Sequence, residues 1–444
     1  MLRLATISRV HAYQLATIAA LSLAVARGGF AQTSPVASAA PAAAAADPAG
    51  SAGASAAAPA PESDVYFEEP HIIAMPIDRA RSLFGKDEGS THKTGFYPEV
   101  SNMTTGAGWV SLGPGYRTYV FDHRLLLDGS AALSWHLYKL VQGRVEAPVG
   151  ERLAFGAQAM WQDQTQVNYF GPGPDSLEDD RTQYRIITTD VVGYTTFHAS
   201  ESVFFDARFG WLENPTLREA GGTFVPDLPS TLVRFAADPG VTGPQPSYLH
   251  GEFAVTADTR DYKGHPTSGG LYRAAVTTFS DRDAGTFSFN EYQAEALQFF
   301  PIVGKRWIGA VHGWLVLTDV PPGNEIPIYL QPSLGGNNSL RGYNTYRFHD
   351  QNALSINGES RWAVFEHVDV AAFFDAGNVA STVGDLDLAK TSYGGGVRLH
   401  TTRSTLARVD VARGTEGWHF VVRTTEPFRL WRITRAIADL PFAP

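Results

Sequence analysis

Polar and apolar residues alternate with a period of two through most of the chain after residue 104. Residues 203–211 illustrate the pattern, because Phe209 lies on an apolar face while Asp206 and Arg208 lie on the opposite face. Successive side chains point to opposite faces of a β-strand, so this period predicts strands rather than helices. The chain is therefore predicted to be all-β, with antiparallel strands joined by turns and loops.

Fourteen strands can be assigned from this alternation. They lie near residues 104–119, 125–147, 150–170, 183–198, 202–213, 247–259, 270–281, 286–300, 305–319, 351–365, 367–379, 391–401, 404–414 and 416–428. The connections alternate between short turns and longer loops, and the longer loops are 171–183, 213–247, 320–351 and 379–391. An even number of strands with alternating connections is typical of an outer-membrane β-barrel.

The alternation by itself fits two architectures. A soluble β-sandwich buries its apolar face and turns its charges to water. A membrane barrel turns its apolar face to lipid and its charges to the lumen. Three features favour the barrel: an N-terminal export signal, strands of roughly ten or more residues, and aromatic residues at strand ends such as Trp211 and Trp307.

The N-terminal residues 1–31 have the composition of a signal peptide. Arg3 and Arg9 precede an apolar run at 15–26, and small residues lie just before Gln32. This predicts export and, with the barrel, a location in the outer membrane of a Gram-negative bacterium. No apolar run beyond the signal peptide approaches the length of a membrane-spanning helix.

The rest of the chain divides by composition. The segment 32–62 is almost entirely Ala, Pro, Ser and Gly, which predicts a disordered linker because it has nothing to bury. The segment 63–100 is too short for a core of its own and is expected to be a periplasmic or plug segment. The barrel is expected to span 101–428, and 429–444 is expected to form a periplasmic tail.

Composition excludes several classes of function. The chain has 35 Lys and Arg against 45 Asp and Glu, and no basic run, so nucleic acid is not an expected partner. Without cysteine there is no disulfide, thiol nucleophile or cysteine metal site. Phosphate-loop, zinc-helix and nucleophile-elbow motifs are absent. No cofactor or metal is expected, and His250, His312 and His400 are interpreted as polar lumen residues.

The most specific signal is a Gly-rich run within the loop 320–351. The run ends in Leu340, Arg341, Gly342 and Tyr343. Flexible glycines would let the loop fold back through the barrel mouth and carry one guanidinium inward. A buried arginine needs acceptors, and the polar faces of the next two strands supply Glu359 and Asp375.

Taken with Phe373, Asp375 and Gly377, this loop resembles the BamA/TamA family of outer-membrane barrels, also called the bacterial surface antigen family. The family's inward-folded loop carries an Arg-Gly-Phe/Tyr motif, which residues 341–343 match, and its partner strand carries an F-x-D-x-G motif. The resemblance implies that Glu359 is the acid on the intervening strand. It also implies sixteen strands, so that a hairpin is hidden in 104–148 or 213–247.

The geometry expected at this site follows from the strand alternation. Glu359, Phe373 and Asp375 share the lumen side of adjacent strands, so their side chains can converge. Arg341 should lie inside the barrel, within hydrogen-bonding reach of Asp375, Glu359 or both. Tyr343 is expected to pack against the face of Phe373.

The resemblance also implies a function. Family members assist the insertion or translocation of proteins or lipid at the outer membrane, so the implied partners are outer-membrane lipid, client outer-membrane or secreted proteins, and a separate periplasmic subunit. Such members usually carry periplasmic POTRA domains, which the segment 62–99 is too short to hold. A passive channel or structural barrel without assembly activity is therefore a second hypothesis. A lipid-modifying enzyme has no support beyond polar lumen residues, so no enzymatic activity is expected.

Overall fold

A computed structural model describes residues 66–67, 94–104, 107–122, 124–222, 227–337, 339–401 and 405–423. Sixteen strands form one antiparallel sheet, in which each strand pairs with its neighbours in chain order. The prediction of an all-β, antiparallel barrel is confirmed. Among the described residues, no helix has both the length and the apolar character needed to cross a membrane.

We number the strands of this sheet in chain order. They are β1 Gly95–Thr104, β2 Ala107–Val120, β3 Leu125–Ser134, β4 Lys139–Val149, β5 Leu153–Tyr169, β6 Thr182–His198, β7 Val203–Glu219, β8 Tyr248–Asp258, β9 Gly269–Asp281, β10 Phe289–Val303, β11 Trp307–Asp319, β12 Asn352–Phe365, β13 Val368–Ala380, β14 Lys390–His400, β15 Thr405–Gly414 and β16 Gly417–Arg423. Within the described residues, the loops hold one short helix, α1 Thr231–Arg234, and two 3₁₀ turns, Glu178–Asp180 and Val383–Asp385. They also hold a small hairpin that joins Ser333–Leu334 to Phe348–His349.

The two strands missing from the assignment of fourteen lie near the N-terminal end of the sheet. The single strand predicted at 125–147 is the hairpin of β3 and β4, as the expected hidden hairpin in 104–148 implied. Its turn has no Gly or Pro to mark it. Instead, Leu137 adopts a positive φ of 61°, and the backbone amide of Tyr138 donates to Ser134 Oγ at 3.0 Å.

The first strand was also missed. β1 pairs with β2 from Gly95, inside the segment expected to precede the barrel, so the sheet begins earlier than the predicted boundary at residue 101. Pro98 explains the error, since proline lacks an amide donor and argues against a strand when read from sequence. Proline is tolerated at the end of a sheet, where β1 stands in the strand order.

The two faces of the sheet are reversed relative to a soluble sandwich. Large apolar side chains stand outward, among them Phe209 at 64% exposed and Phe374 at 52% exposed. Their charged neighbours in sequence, Arg208 and Asp375, are buried. Such an apolar exterior is unfavourable in water and suits a lipid environment, which decides between the two architectures that the alternation allows.

The long loop at 320–351 folds inward onto the barrel wall, and the predicted inward-folded Gly-rich loop is confirmed. Three buried apolar clusters join it to strands from β5 to β13. The first contains Trp314, Val316, Leu334, Leu340, Tyr343, Phe348, Ala353 and Val379. The second contains Ile328 with Val167, Tyr169, Tyr184, Ile186 and Val241, and the third contains Ile326 and Leu330 with Leu212, Tyr248, Phe279 and Phe289.

The predictions for 1–31, 32–62 and 429–444 concern segments outside the described residues. Of the expected pre-barrel segment, Tyr66, Phe67 and the residues from 94 onward, which begin β1, are described. The backbone amides of Tyr66 and Phe67 donate to the carbonyls of Ala363 and Val364 at 3.0 and 2.9 Å, near the end of β12. This contact places Tyr66 and Phe67 beside the short turn between β12 and β13.

Candidate functional site: the Arg341 lock

The guanidinium of Arg341 is buried inside the barrel between two carboxylates. Its Nη2 donates to Asp375 Oδ1 at 2.7 Å, and its Nε lies 3.0 Å from Asp375 Oδ2. Its Nη1 donates to Glu359 Oε2 at 2.6 Å. The guanidinium carbon also lies 3.5 Å from the centroid of the Phe373 ring, a cation–π contact. The structure therefore brings Arg341, Glu359, Phe373 and Asp375 together, and we call this group the Arg341 lock.

Strand register explains why these side chains meet. Glu359 on β12 is paired directly with Phe373 on β13, and two residues along, Asn357 is paired with Asp375. Residues two apart share a face, so all four project into the lumen. Asn357 also donates to Asp375 Oδ1 at 2.9 Å. On the other side of β13, Ser392 of β14 pairs with Asp375 and donates to its Oδ2 at 3.1 Å.

Gly342 is required by a close approach between the loop and the barrel wall. A Cβ at this position would lie 2.4 Å from the backbone nitrogen of Gly414 and 2.6 Å from Ser392 Cβ. Gly414 in turn has no space for a side chain on the loop's side. Gly377 serves the same purpose on β13, where a Cβ would lie 2.6 Å from the carbonyl oxygen of Leu354.

Tyr343 does not pack as expected. Its ring stands edge-on to Phe348, with centroids 5.3 Å apart, and its hydroxyl lies 3.1 Å from Thr415 Oγ1. The face of Phe373 is covered by the Arg341 guanidinium instead, since a cation gains from a π face that a second ring would contact less favourably. Leu340 and Tyr343 anchor the loop through the first apolar cluster.

The charge network extends beyond the predicted residues onto the last strands. Arg398 on β14 donates to Glu359 Oε2 at 3.1 Å and also to Asp410 on β15. Arg408 donates to Asp410 Oδ2 at 2.8 Å and to the backbone carbonyl of Asn337 in the loop at 3.1 Å. Sequence alternation places these residues on polar faces, but it does not give the register that makes them partners.

A second loop arginine was missed by sequence reasoning. Arg347 donates to Glu416 Oε1 at 2.7 Å and to Ser176 Oγ at 2.8 Å. Its guanidinium carbon lies 4.7 Å from the centroid of the Phe170 ring and 4.6 Å from that of Phe348. Burial raises the pKa of the Glu416 carboxyl, and the Arg347 charge only partly opposes this shift. Arg347 thus ties the loop to two other loops, a link between segments too distant in sequence for any spacing to indicate.

This arrangement holds a loop in place by charge. The lock and its extension set the guanidiniums of Arg341, Arg361, Arg398 and Arg408 against the carboxylates of Glu359, Asp375 and Asp410. Each of these groups is costly to bury alone, and the mutual pairing offsets that cost. A planar guanidinium matches a carboxylate at two points, so the loop is fixed in orientation as well as position.

The comparisons with known proteins agree with this architecture. The Omp85 superfamily domain matches residues 150–422, and the chain belongs to the Omp85 superfamily of outer-membrane barrels. The resemblance to BamA/TamA-type barrels that the sequence indicated is thereby confirmed. No curated protein sequence matches the chain.

Solved structures also match this chain. The crystal structure of BamA from Haemophilus ducreyi lacking POTRA domains 1-3 is 13% identical, with a TM-score of 0.55, over 79% of this chain and 78% of that one. CdiB from Escherichia coli is 12% identical, with a TM-score of 0.48, over 74% of this chain and 61% of that one. At these identities the likeness concerns the fold alone.

Proposed function

We propose that this protein assists the insertion or translocation of proteins or lipid at the outer membrane, without catalytic chemistry. The observation that carries the proposal is the Arg341 lock inside a barrel of the Omp85 superfamily. Export by a signal peptide at residues 1–31 is part of the proposal. So are client outer-membrane or secreted proteins and a separate periplasmic subunit as partners.

Energetics support a role for the lock beyond stability. Replacing a buried ion-pair network by well-packed apolar residues is often neutral or stabilising, so stability alone does not require charges here. A charge lock differs from an apolar contact in being strongly dependent on geometry, which suits an element that must hold one position or release it. A passive pore has no need of such an element.

The place of the lock in the sheet also supports the proposal. The loop contacts β12 to β15, close to the end of the strand order that β16 forms, and Tyr343 lies beside the turn that leads into β16. Strands at the ends of a sheet are where a further strand can be added through backbone hydrogen bonds. Holding these last strands in register would set whether a client strand can pair there.

Depletion of the protein in its native host tests the proposal. We expect lower amounts of at least a subset of outer-membrane proteins or a changed lipid composition, restored by the wild-type gene and not by Arg341→Ala at equal barrel abundance. An unchanged outer-membrane proteome and lipid profile would overturn the proposal. Steady, ion-selective conductance of the purified protein in planar bilayers, together with that unchanged profile, would favour the passive channel.

A further inference from the structure

Three buried side chains that the Arg341 lock does not use meet at the end of the barrel where the short turns lie. His265 belongs to the turn at 259–268, Asp369 lies at the start of β13, and His400 ends β14. His265 Nε2 lies 3.3 Å from Asp369 Oδ2, and His400 Nε2 lies 3.1 Å from Asp369 Oδ1. Two imidazole nitrogens therefore face one carboxylate from opposite oxygens.

The outer nitrogen of each imidazole is held by the protein. His400 Nδ1 lies 2.9 Å from the backbone carbonyl of Thr401, and His265 Nδ1 lies 3.3 Å from Thr405 Oγ1. A carbonyl oxygen only accepts, so His400 Nδ1 carries the hydrogen and donates it. Histidine ligands of metal ions are oriented in this way, with the outer nitrogen hydrogen-bonded to a protein oxygen and the inner nitrogen left for the metal.

This hydrogen bond has a consequence for the inner nitrogen. In the neutral imidazole, protonation at Nδ1 leaves a lone pair on Nε2 of His400, and that lone pair points at the carboxylate of Asp369. Two lone-pair groups at 3.1 Å repel each other unless something positive lies between them. A proton on Nε2 or a metal cation satisfies this requirement.

The donor set and its spacing fit a metal. The ligand atoms of the three residues all lie within 4.8 Å of one another. The two nitrogen-to-oxygen separations are close to the roughly 3.3 Å between ligands that tetrahedral Zn²⁺ bonds of 2.0–2.1 Å produce. Two imidazoles and one carboxylate suit Zn²⁺ and similar divalent transition ions rather than Ca²⁺ or Mg²⁺, which prefer all-oxygen sites.

The rings must adjust for an ion to bind. The imidazoles of His265 and His400 are stacked, with centroids 3.7 Å apart and planes 9° from parallel. A metal ion in the plane of one ring would be out of the plane of the other, so one ring has to rotate to direct both lone pairs at it. Arg361 also carries a positive charge near the turn, and the carboxylate of Glu359 partly balances it, because Arg361 Nε lies 3.8 Å from Glu359 Oε1.

We propose that His265, Asp369 and His400 bind one divalent transition-metal ion of the Zn²⁺ type, with a fourth position open to water or another ligand. The ion joins the turn at 259–268 to β13 and β14, which lie well apart from that turn in the strand order. The turn is already docked there, since the Thr405 amide donates to the Gly264 carbonyl at 2.9 Å and Arg361 Nη2 donates to the Pro266 carbonyl at 3.3 Å. Metal binding strengthens this attachment of the turn at 259–268 to β13 and β14 and makes its strength depend on the ion.

The test is a calorimetric titration of ZnCl₂ into the purified full chain without a polyhistidine tag. We expect saturation at one Zn²⁺ per chain, and slower amide hydrogen exchange in residues 259–268 when the ion is bound. His265→Asn, Asp369→Asn and His400→Asn should each weaken binding about 100-fold or more, because changes outside the ligand shell alone cost 10–100-fold. His250→Asn is the matched control, since His250 Nε2 pairs with Asp190 at 2.8 Å in a buried pair that contains only one histidine.

A second measurement uses only the wild-type protein, so its outcome does not depend on whether a variant folds. The electron paramagnetic resonance spectrum of the wild-type protein with one equivalent of Cu²⁺ should show coupling to two imidazole nitrogens. The proposal is overturned if the wild type shows no saturable Zn²⁺ binding, which would leave a proton between His400 and Asp369. It is also overturned if folded His265→Asn and His400→Asn variants bind as the wild type does, or if the copper signal shows fewer than two imidazoles.

Discussion

The carboxylate of Asp375 binds both the backbone and the side chain of Arg341. The backbone amide of Arg341 donates to Oδ2 at 3.1 Å, while its Nη2 donates to Oδ1 at 2.7 Å. One residue of β13 thus fixes the path of the loop as well as the direction of the guanidinium. This double attachment distinguishes the Arg341 lock from a single ion pair. Loss of the lock should therefore change the stability of the barrel by a measurable amount.

Arg341→Ala should destabilise the barrel strongly. It leaves Asp375 and Glu359 buried near each other without their shared cation, a change that costs about 3–5 kcal/mol when burial is complete. Arg341→Lys should recover only part of this loss, because an ammonium cannot reproduce the planar fork. Urea unfolding in lipid vesicles measures both. Arg124→Ala, in the exposed turn after β2, is the control and should change stability by less than about 0.5 kcal/mol.

Arg341 and Asp375 should be strongly coupled. Once one partner is gone, removal of the other eliminates an uncompensated charge, so Arg341→Ala with Asp375→Ala should cost little more than either single variant. A cycle that combines Arg341→Ala with Arg185→Ala, whose guanidinium pairs with Asp163 at 2.7 Å, should be additive within about 0.5 kcal/mol. Additivity in the Arg341–Asp375 cycle would mean that the two residues act independently.

Gly342→Ala should displace the loop from the wall. The added Cβ would meet the backbone of Gly414, which cannot move as a flexible side chain would, so we expect a loss of about 1–3 kcal/mol and greater protease sensitivity of the loop. Gly384→Ala is the matched control in the 3₁₀ turn after β13, where the closest atom, Thr382 Oγ1, is 4.0 Å away. Equal protease sensitivity of the two variants would contradict the close approach.

The orientation of the faces predicts different costs for an arginine at an outward position of β13 and at an exposed position in the loop that follows β13. Phe374 points outward, so Phe374→Arg should cost about 2–4 kcal/mol if it lies near the middle of the bilayer. Val383→Arg, at an exposed position in the following loop, should cost close to nothing. Unfolding in vesicles gives both values. A negligible cost for Phe374→Arg would show that this face does not contact lipid.

Local pattern predicted much of the fold because a period of two is imposed by the strand itself. The strand assignment failed where a turn lacked the residues that usually form turns, and where a strand contained a residue that is usually absent from strands. Trp135 and Leu137 occupy the turn between β3 and β4 without any glycine, and Pro98 lies inside β1. In each case tertiary pairing overrides a local preference that sequence reasoning has to rely on.

The site was predictable to the extent that chemistry restricts partners. A buried Arg341 needs carboxylates, and Glu359 and Asp375 were the acids that alternation placed on the lumen side. The roles of Asn357 and Ser392 depend on register between strands, which alternation does not provide. Contacts between distant loops, such as Arg347 with Ser176, leave no periodic trace in the sequence.

We propose that the barrel speeds the assembly of client proteins and needs the Arg341 lock to do so. The most direct measurement is the folding rate of a urea-unfolded outer-membrane protein into vesicles that contain the purified full chain. We predict faster folding than into empty vesicles with the wild type and with Arg124→Ala, and no acceleration with correctly inserted Arg341→Ala. Equal client folding rates in empty and wild-type vesicles, or undiminished acceleration by Arg341→Ala, would contradict the account.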